Sequence, residues 1–218
     1  MMPTMDPVFE RLRASRVVAV VMIENEADAV PLARALLAGG ITAMELALRT
    51  DAALGSLKQI ATEVPEMMVG AGTILEEEQV SAAQDAGASF GVAPGTNATI
   101  LAAAQDAGFP FAPGIAIPTD IESALGFGCR VLKFFPAEGM GGLEYLTSIA
   151  APYRHLGLSY IPLGGVHEGN LQSYTSSPDV LAVGGSWLAP RSLREVGDWS
   201  GIESLARRAV GLAGGGGD

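Results

Sequence analysis

The sequence predicts an α/β chain of eight parallel strand–helix units closed into one trimmed barrel. Three observations predict it. Short apolar or β-branched runs recur at intervals of about 20 to 30 residues. Alanine- and leucine-rich stretches with helical spacing lie between them. Several of these stretches end in glycine, the residue that caps a helix most readily in the left-handed conformation. In chain order, the first run is 17–23, and the helical stretch 27–38 follows it, ending at Gly39-Gly40. The second run is 42–47 and the third is 67–71, followed by a helical stretch over 77–86 that ends at Gly87. The fourth run is 89–93, with its helix over 98–107 ending at Gly108, and the fifth is 109–112. Runs six, seven and eight are 130–134, 159–162 and 180–183. Strand, helix, glycine, strand, repeated eight times, reads as parallel βαβ units, and eight such units close into a (β/α)8 TIM barrel. At 218 residues the barrel is shorter than the typical ~250. An open doubly wound sheet is the alternative architecture. No Pro/Ser-rich linker divides the chain, so residues 1–213 are expected to form one domain, with 214–218 as a flexible glycine-rich tail.

Composition bounds the function. The formal net charge is −11, which disfavours sequence-independent binding of nucleic acid or an anionic membrane surface. The single cysteine, Cys129, excludes an internal disulfide and a cysteine-based zinc site. Two histidines, His155 and His167, leave little for a histidine-rich metal centre, and both read as solvated polar residues. No metal or other cofactor is expected. The run 17–23 is too short to span a bilayer and lacks the features of a signal peptide, so a cytoplasmic protein is expected.

Barrels of this class build their sites at the C-terminal ends of the strands, and the most informative residue lies near one. The chain holds two lysines, Lys58 and Lys133. Lys58 falls in a surface helix, whereas Lys133 sits inside Val131-Leu132-Lys133-Phe134-Phe135. Lysine is almost never fully buried unless paired. Side chains alternate along a strand, so Val131, Lys133 and Phe135 face the interior and Leu132 and Phe134 face the helices. One reading is a strand-end lysine that snorkels to water. The other is a Schiff-base nucleophile. An amine attacks a carbonyl only when neutral, and a free lysine with pKa near ~10.4 supplies on the order of one part in a thousand at neutral pH. Burial and a nearby cation both favour the neutral amine.

The second strand alternates cleanly. Met44, Leu46 and Leu48 share one face, while Ala43, Glu45, Ala47 and Arg49 share the other. Glu45 and Arg49 therefore point into the barrel or its mouth, either as a structural ion pair or as a proton-transfer group and a carboxylate clamp. Guanidinium binds carboxylate bidentately, which lysine does not. Arg49 near Lys133 would also favour the neutral amine. Strands seven and eight end in Leu163-Gly164-Gly165-Val166 and Gly184-Gly185-Ser186-Trp187. These are the loops from which such barrels commonly build a phosphate site. The backbone N–H groups of Gly164, Gly165, Gly185 and Ser186, with the Ser186 hydroxyl, would cradle it. The alternative is ordinary turns.

Taken together, Leu132-Lys133-Phe134-Phe135-Pro136-Ala137-Glu138, Glu45 with Arg49-Thr50, Gly70-Ala71-Gly72-Thr73, Pro94-Gly95, Pro113-Gly114 and Gly184-Gly185-Ser186-Trp187 resemble the 2-keto-3-deoxy-6-phosphogluconate (KDPG) aldolase / 4-hydroxy-2-oxoglutarate aldolase family. The resemblance runs from Val17 to about Val210. It implies a homotrimeric, metal-independent class I aldolase of the Entner–Doudoroff pathway, taking a sugar-acid phosphate to pyruvate and glyceraldehyde 3-phosphate. Lys133 would form the imine and Glu45 would be the general acid/base. Arg49 and Thr73 would hold the pyruvate carboxylate, Pro94 and Phe135 would line the pyruvate pocket, and Gly164, Gly165, Gly185 and Ser186 would take the phosphate. One departure stands out. Many members carry threonine where this chain has Leu163, and that threonine is associated with a substrate hydroxyl beside the breaking bond. The resemblance thus also admits 4-hydroxy-2-oxoglutarate or the galactonate-series substrate. A phosphate-binding isomerase or a non-catalytic sugar-phosphate sensor would keep the glycine loops but need no lysine in strand six.

Overall fold

The computed structural model describes residues 5–214. The predicted flexible tail falls outside the described residues except for Gly214, which is the last residue of the final helix. The strands are β1 (Val17–Val21), β2 (Ala43–Ala47), β3 (Met68–Gly72), β4 (Gly91–Val92), β5 (Phe111–Ala112), β6 (Gly114–Ile115), β7 (Val131–Phe134), β8 (Ser159–Pro162) and β9 (Val183–Gly185). The helices are α1 (Pro7–Ser15), α2 (Ala29–Ala38), α3 (Ala53–Glu63), α4 (Glu78–Asp85), α5 (Ala98–Asp106), α6 (Pro118–Gly126), α7 (Gly142–Ala150), α8 (Glu168–Thr175), α9 (Arg191–Arg194) and α10 (Trp199–Gly214).

All strand pairings are parallel. One ladder runs β5-β4-β3-β2-β1-β9 and a second runs β6-β7-β8. β5 and β6 are one wall interrupted at Pro113, which has no N–H to give the ladder. The wall still pairs there, because the Lys133 N–H donates to the Pro113 carbonyl at 2.8 Å. The ring closes where Tyr160 bridges Val180, with Tyr160 N–H on the Asp179 carbonyl and Leu181 N–H on the Tyr160 carbonyl. The eighth predicted run therefore serves both neighbours. Residues 180–181 pair with β8, and Val183 and Gly185 pair with Val17 and Ala19 of β1. This shifts the last strand a few residues beyond the predicted 180–183. Counting β5 and β6 together gives eight walls, with β2 and β7 four apart and thus on opposite sides.

Two apolar layers hold the ring. The outer one lies between strands and helices and includes Met44 and Leu46 of β2, Leu132 and Phe134 of β7, and the helical residues Leu32, Leu36, Leu57 and Ile60. In α3, Ala53, Ser56, Leu57 and Ile60 are buried, the i, i+3, i+4, i+7 spacing of one helix face. The inner layer fills the barrel with Val18, Ala43, Met68, Phe90, Val131 and Ile161. Its floor comes from α1, absent from the sequence prediction, whose Phe9 and Leu12 join the same cluster. Asp6 starts that helix by accepting the Val8 N–H at 2.8 Å. The floor seals one end of the barrel, and the polar interior residues lie toward the other.

Candidate active site

Glu45 and Lys133 meet inside the barrel from opposite walls. Lys133 Nζ donates to Glu45 Oε1 at 2.9 Å, and both residues are almost fully buried, at 5% and 3% exposure. Lys133 therefore does not snorkel to water. The charged group against the amine is the Glu45 carboxylate, where sequence reasoning placed the Arg49 guanidinium. Nζ also stands 5.5 Å from the centroid of the Phe135 ring. The carboxylate has room because residue 72 is glycine. A Cβ there would lie 2.1 Å from Glu45 Oε1 and 2.6 Å from its Cγ.

The pair opens into a cavity of about 270 Å³. That cavity brings together the ten residues expected to bind and convert substrate: Arg49, Thr73, Pro94, Phe135, Gly164, Gly165, Gly185 and Ser186 line it beside Glu45 and Lys133. Leu163 lines it too and is buried. Arg49 is exposed at the mouth, and among the described residues its guanidinium has no hydrogen-bond or ion-pair partner. Thr73 is half-buried and has φ +59°, a left-handed backbone that a β-branched residue rarely adopts. Such strain gathers at ligand sites. Thr50 Oγ1 donates to the Ile23 carbonyl at 2.5 Å and ties the end of β2 to the loop after β1.

The glycine loops are held from behind. Gly164 and Gly165 have φ of +92° and +85°, and a Cβ on Gly165 would lie 2.6 Å from Glu138 Cβ. Glu138 N–H donates to the Gly164 carbonyl at 2.9 Å, and its carboxylate accepts from the Tyr174 hydroxyl of α8 at 2.5 Å. Burial and then that carboxylate push the Tyr174 hydroxyl pKa well above the ordinary range. Sequence reasoning quoted Glu138 within the motif around Lys133 but missed its pairing with Tyr174, which depends on how α8 packs. Gly185 is required by Trp187, whose ring atoms would lie 1.4 Å from a Cβ there.

The remaining candidates lie apart from the pair. His155 lies in an exposed turn at Ala151–Leu156, and His167 caps α8. Cys129 is half-buried just ahead of β7, and burial pushes its thiol pKa up to about 11. Among the described residues, no three His, Cys, Asp or Glu side chains gather as a metal site, and no helix is long and apolar enough to cross a membrane.

A buried amine hydrogen-bonded to a carboxylate, in a cavity also lined by glycine-rich loops and by a guanidinium with no partner among the described residues, is equipped to condense with a carbonyl compound that carries anionic groups. Comparison with known proteins agrees in kind. The sequence profile described as KDPG and KHG aldolase matches residues 8–205. The chain belongs to the KDPG and KHG aldolase family. A 2-dehydro-3-deoxy-phosphogluconate aldolase of Treponema pallidum is 44% identical over 207 residues, covering 95% of this chain and 98% of that protein. The solved KDPG aldolase of Zymomonas mobilis with 3-phosphoglycerate superposes with a TM-score of 0.88 at 38% identity, covering 94% of this chain and 96% of that one. The KDPG aldolase of Legionella pneumophila, with pyruvate captured at low pH as a covalent carbinolamine intermediate, gives 0.87 at 36% identity, covering 93% and 96%. The barrel with its walls in this order is thus the fold of the aldolase family.

Proposed function

We propose that this chain is a class I aldolase that cleaves 2-keto-3-deoxy-6-phosphogluconate to pyruvate and glyceraldehyde 3-phosphate. The observation that carries the reading is the buried Lys133–Glu45 contact at 2.9 Å at the inner end of a cavity with cationic and amide-rich walls. The family's carbinolamine-forming member supports it.

The chemistry follows from that contact. The Glu45 carboxylate accepts a proton from the Lys133 ammonium, and the free amine adds to the C2 carbonyl. Glu45, now an acid, protonates the carbinolamine hydroxyl, which leaves as water and gives the iminium. As a base again, Glu45 takes the C4 hydroxyl proton. The C3–C4 bond breaks, its electron pair flows into the iminium, and the aldehyde departs. The resulting enamine is protonated at C3 and hydrolysed to pyruvate and free Lys133. The iminium is what makes this feasible, because cleavage yields a neutral enamine instead of a carbanion. One group at hydrogen-bond distance serves every proton step.

Arg49, without a partner among the described residues, is assigned the substrate carboxylate, with the Thr73 hydroxyl beside it. Pro94 and Phe135 form the apolar wall around the pyruvyl methylene. Gly164, Gly165, Gly185 and Ser186 are assigned the phosphate. A second substrate, 4-hydroxy-2-oxoglutarate, is favoured by Leu163, because an apolar side chain there makes no hydrogen bond to a substrate hydroxyl and leaves the configuration at that carbon loosely read. We also propose the family's homotrimer, a cytoplasmic location and one barrel domain as the working unit.

Borohydride trapping with pyruvate, read by peptide mass spectrometry, tests the mechanism. With only two lysines in the chain the adduct is simple to place. The expected result is an adduct on Lys133, lost together with cleavage in Lys133→Ala. A folded protein that binds the sugar phosphate but yields no adduct would instead be an isomerase or a sensor.

A further inference from the structure

The cavity does not end at the glycine loops. A second hollow of about 660 Å³ continues outward from it, and the two share Arg49, Gly165, Val166 and Ser186 among their walls. Three further cationic or ionisable side chains line this outer hollow: His167, Arg191 and Arg194. Two of them are already engaged. Arg191 Nε donates to Glu195 at 2.6 Å. Arg194 Nη1 donates to the Met22 carbonyl at 2.6 Å and to Glu24 at 3.0 Å.

His167 differs. It opens α8, and its Nδ1 accepts the Gly169 backbone N–H at 3.1 Å, while the His167 backbone N–H donates to Asn170 Oδ1 at 2.8 Å. A neutral imidazole that accepts at Nδ1 carries its proton on Nε2. The helix cap thus fixes the tautomer, and the Nε2–H has no partner among the described residues. The ring lies two positions past Gly165, in the hollow that Gly165 and Ser186 also border.

We infer that His167 is a further phosphate-binding residue, its Nε2–H donating to a phosphomonoester oxygen from the outer side of the glycine loops. The inference rests on the aldolase reading above and deepens it. The capping bond holds the imidazole in the donor tautomer before substrate arrives, so little ordering remains on binding. The residue would thereby favour phosphorylated 2-keto-3-deoxy acids over their unphosphorylated counterparts.

The test separates this role from helix capping. Serine caps a helix well but is too short to replace the imidazole donor. In His167→Ser, kcat/KM for 2-keto-3-deoxy-6-phosphogluconate is expected to fall about tenfold, through KM, as one hydrogen bond to a charged group is lost. Unphosphorylated 2-keto-3-deoxygluconate should be cleaved as before, and competitive inhibition by inorganic phosphate should weaken in parallel. His167→Asn, the other strong cap, covers the case in which the serine variant does not fold. An unchanged ratio between the two substrates, or an equal loss on both, would overturn the inference. Pyruvate trapping on Lys133 in the unsubstituted protein is run alongside. If it fails, the aldolase reading falls. If it succeeds while the substrate ratio stays unchanged, only the role of His167 falls.

Discussion

Gly72→Ala isolates the proton-transfer step with a single methyl group. Residue 72 ends β3 with a backbone open to any L-residue, so the substitution acts through its Cβ alone. That Cβ would lie 2.1 Å from Glu45 Oε1, whereas ordinary contact begins at 3.4 Å, so the carboxylate must retreat by roughly 1.3 Å. Retreat in that range takes the 2.9 Å bond to Lys133 past hydrogen-bond length unless the lysine follows. Misplacement of about 1 Å is worth about 10²-fold in rate, and losing general acid–base catalysis is worth about 10²- to 10⁴-fold. The expected result is a fall in kcat of at least about 10²-fold, with an overpacking cost of about 1–3 kcal/mol. Pyruvate release, followed by coupled NADH oxidation, reads the first, and urea denaturation reads the second. Gly70→Ala is the control, because its Cβ meets the Phe90 ring at 2.3 Å instead of the carboxylate. It should lose stability while keeping activity per folded molecule. Retention of kcat within threefold in Gly72→Ala would refute the assignment of Glu45 as the proton-transfer group.

Two further predictions concern stability. Leu12 is fully buried in the barrel floor, so Leu12→Ala should cost about 2–5 kcal/mol in urea denaturation; a loss under about 1 kcal/mol would mean that α1 does not seal the barrel. The Cys129 thiol, held up at about 11 by burial, keeps its proton in the folded chain where the unfolded chain releases it. The unfolded state then binds fewer protons, so stability falls as pH rises from the ordinary thiol value of ~8.5 toward 11. Cys129→Ala should flatten that alkaline slope in thermal melts, and an unchanged slope would point to other groups.

The strand faces were legible because alternation has period two and a charged residue inside an apolar run breaks it visibly. Lys133 and Glu45 came from that alone, and the structure puts both inside the barrel. What alternation does not show is which walls face each other. That β2 and β7 stand opposite follows from ring closure after eight walls, and closure at Tyr160–Val180 rests on a single bridge with no sequence mark. The helix α1 was missed because only Phe9 and Leu12 of its nine residues are buried, in a stretch otherwise rich in polar side chains. Their burial depends on the barrel end they cover. Nothing in the sequence around Gly72 marks why it is glycine: the reason is a carboxylate arriving from the neighbouring strand.

That carboxylate also explains how an apolar interior tolerates two ionisable groups. Alone, either Lys133 or Glu45 would be costly to bury, whereas together each satisfies the other. On the proposed mechanism the same bond stands where the reaction begins, so an entering substrate would have to displace it at least in part. The incoming molecule brings what is needed to offset that. On the proposed assignment its carboxylate would meet Arg49, whose guanidinium has no partner among the described residues, and its phosphate would meet the amides of the glycine loops. Negative charge would thereby be held on groups other than Glu45, while the carbonyl comes to Lys133. A neutral carbonyl compound without anionic ends would have to break the same contact with nothing in exchange. On the proposed mechanism, a preference for anionic 2-keto acids would follow from the resting ion pair as much as from the groups that bind them.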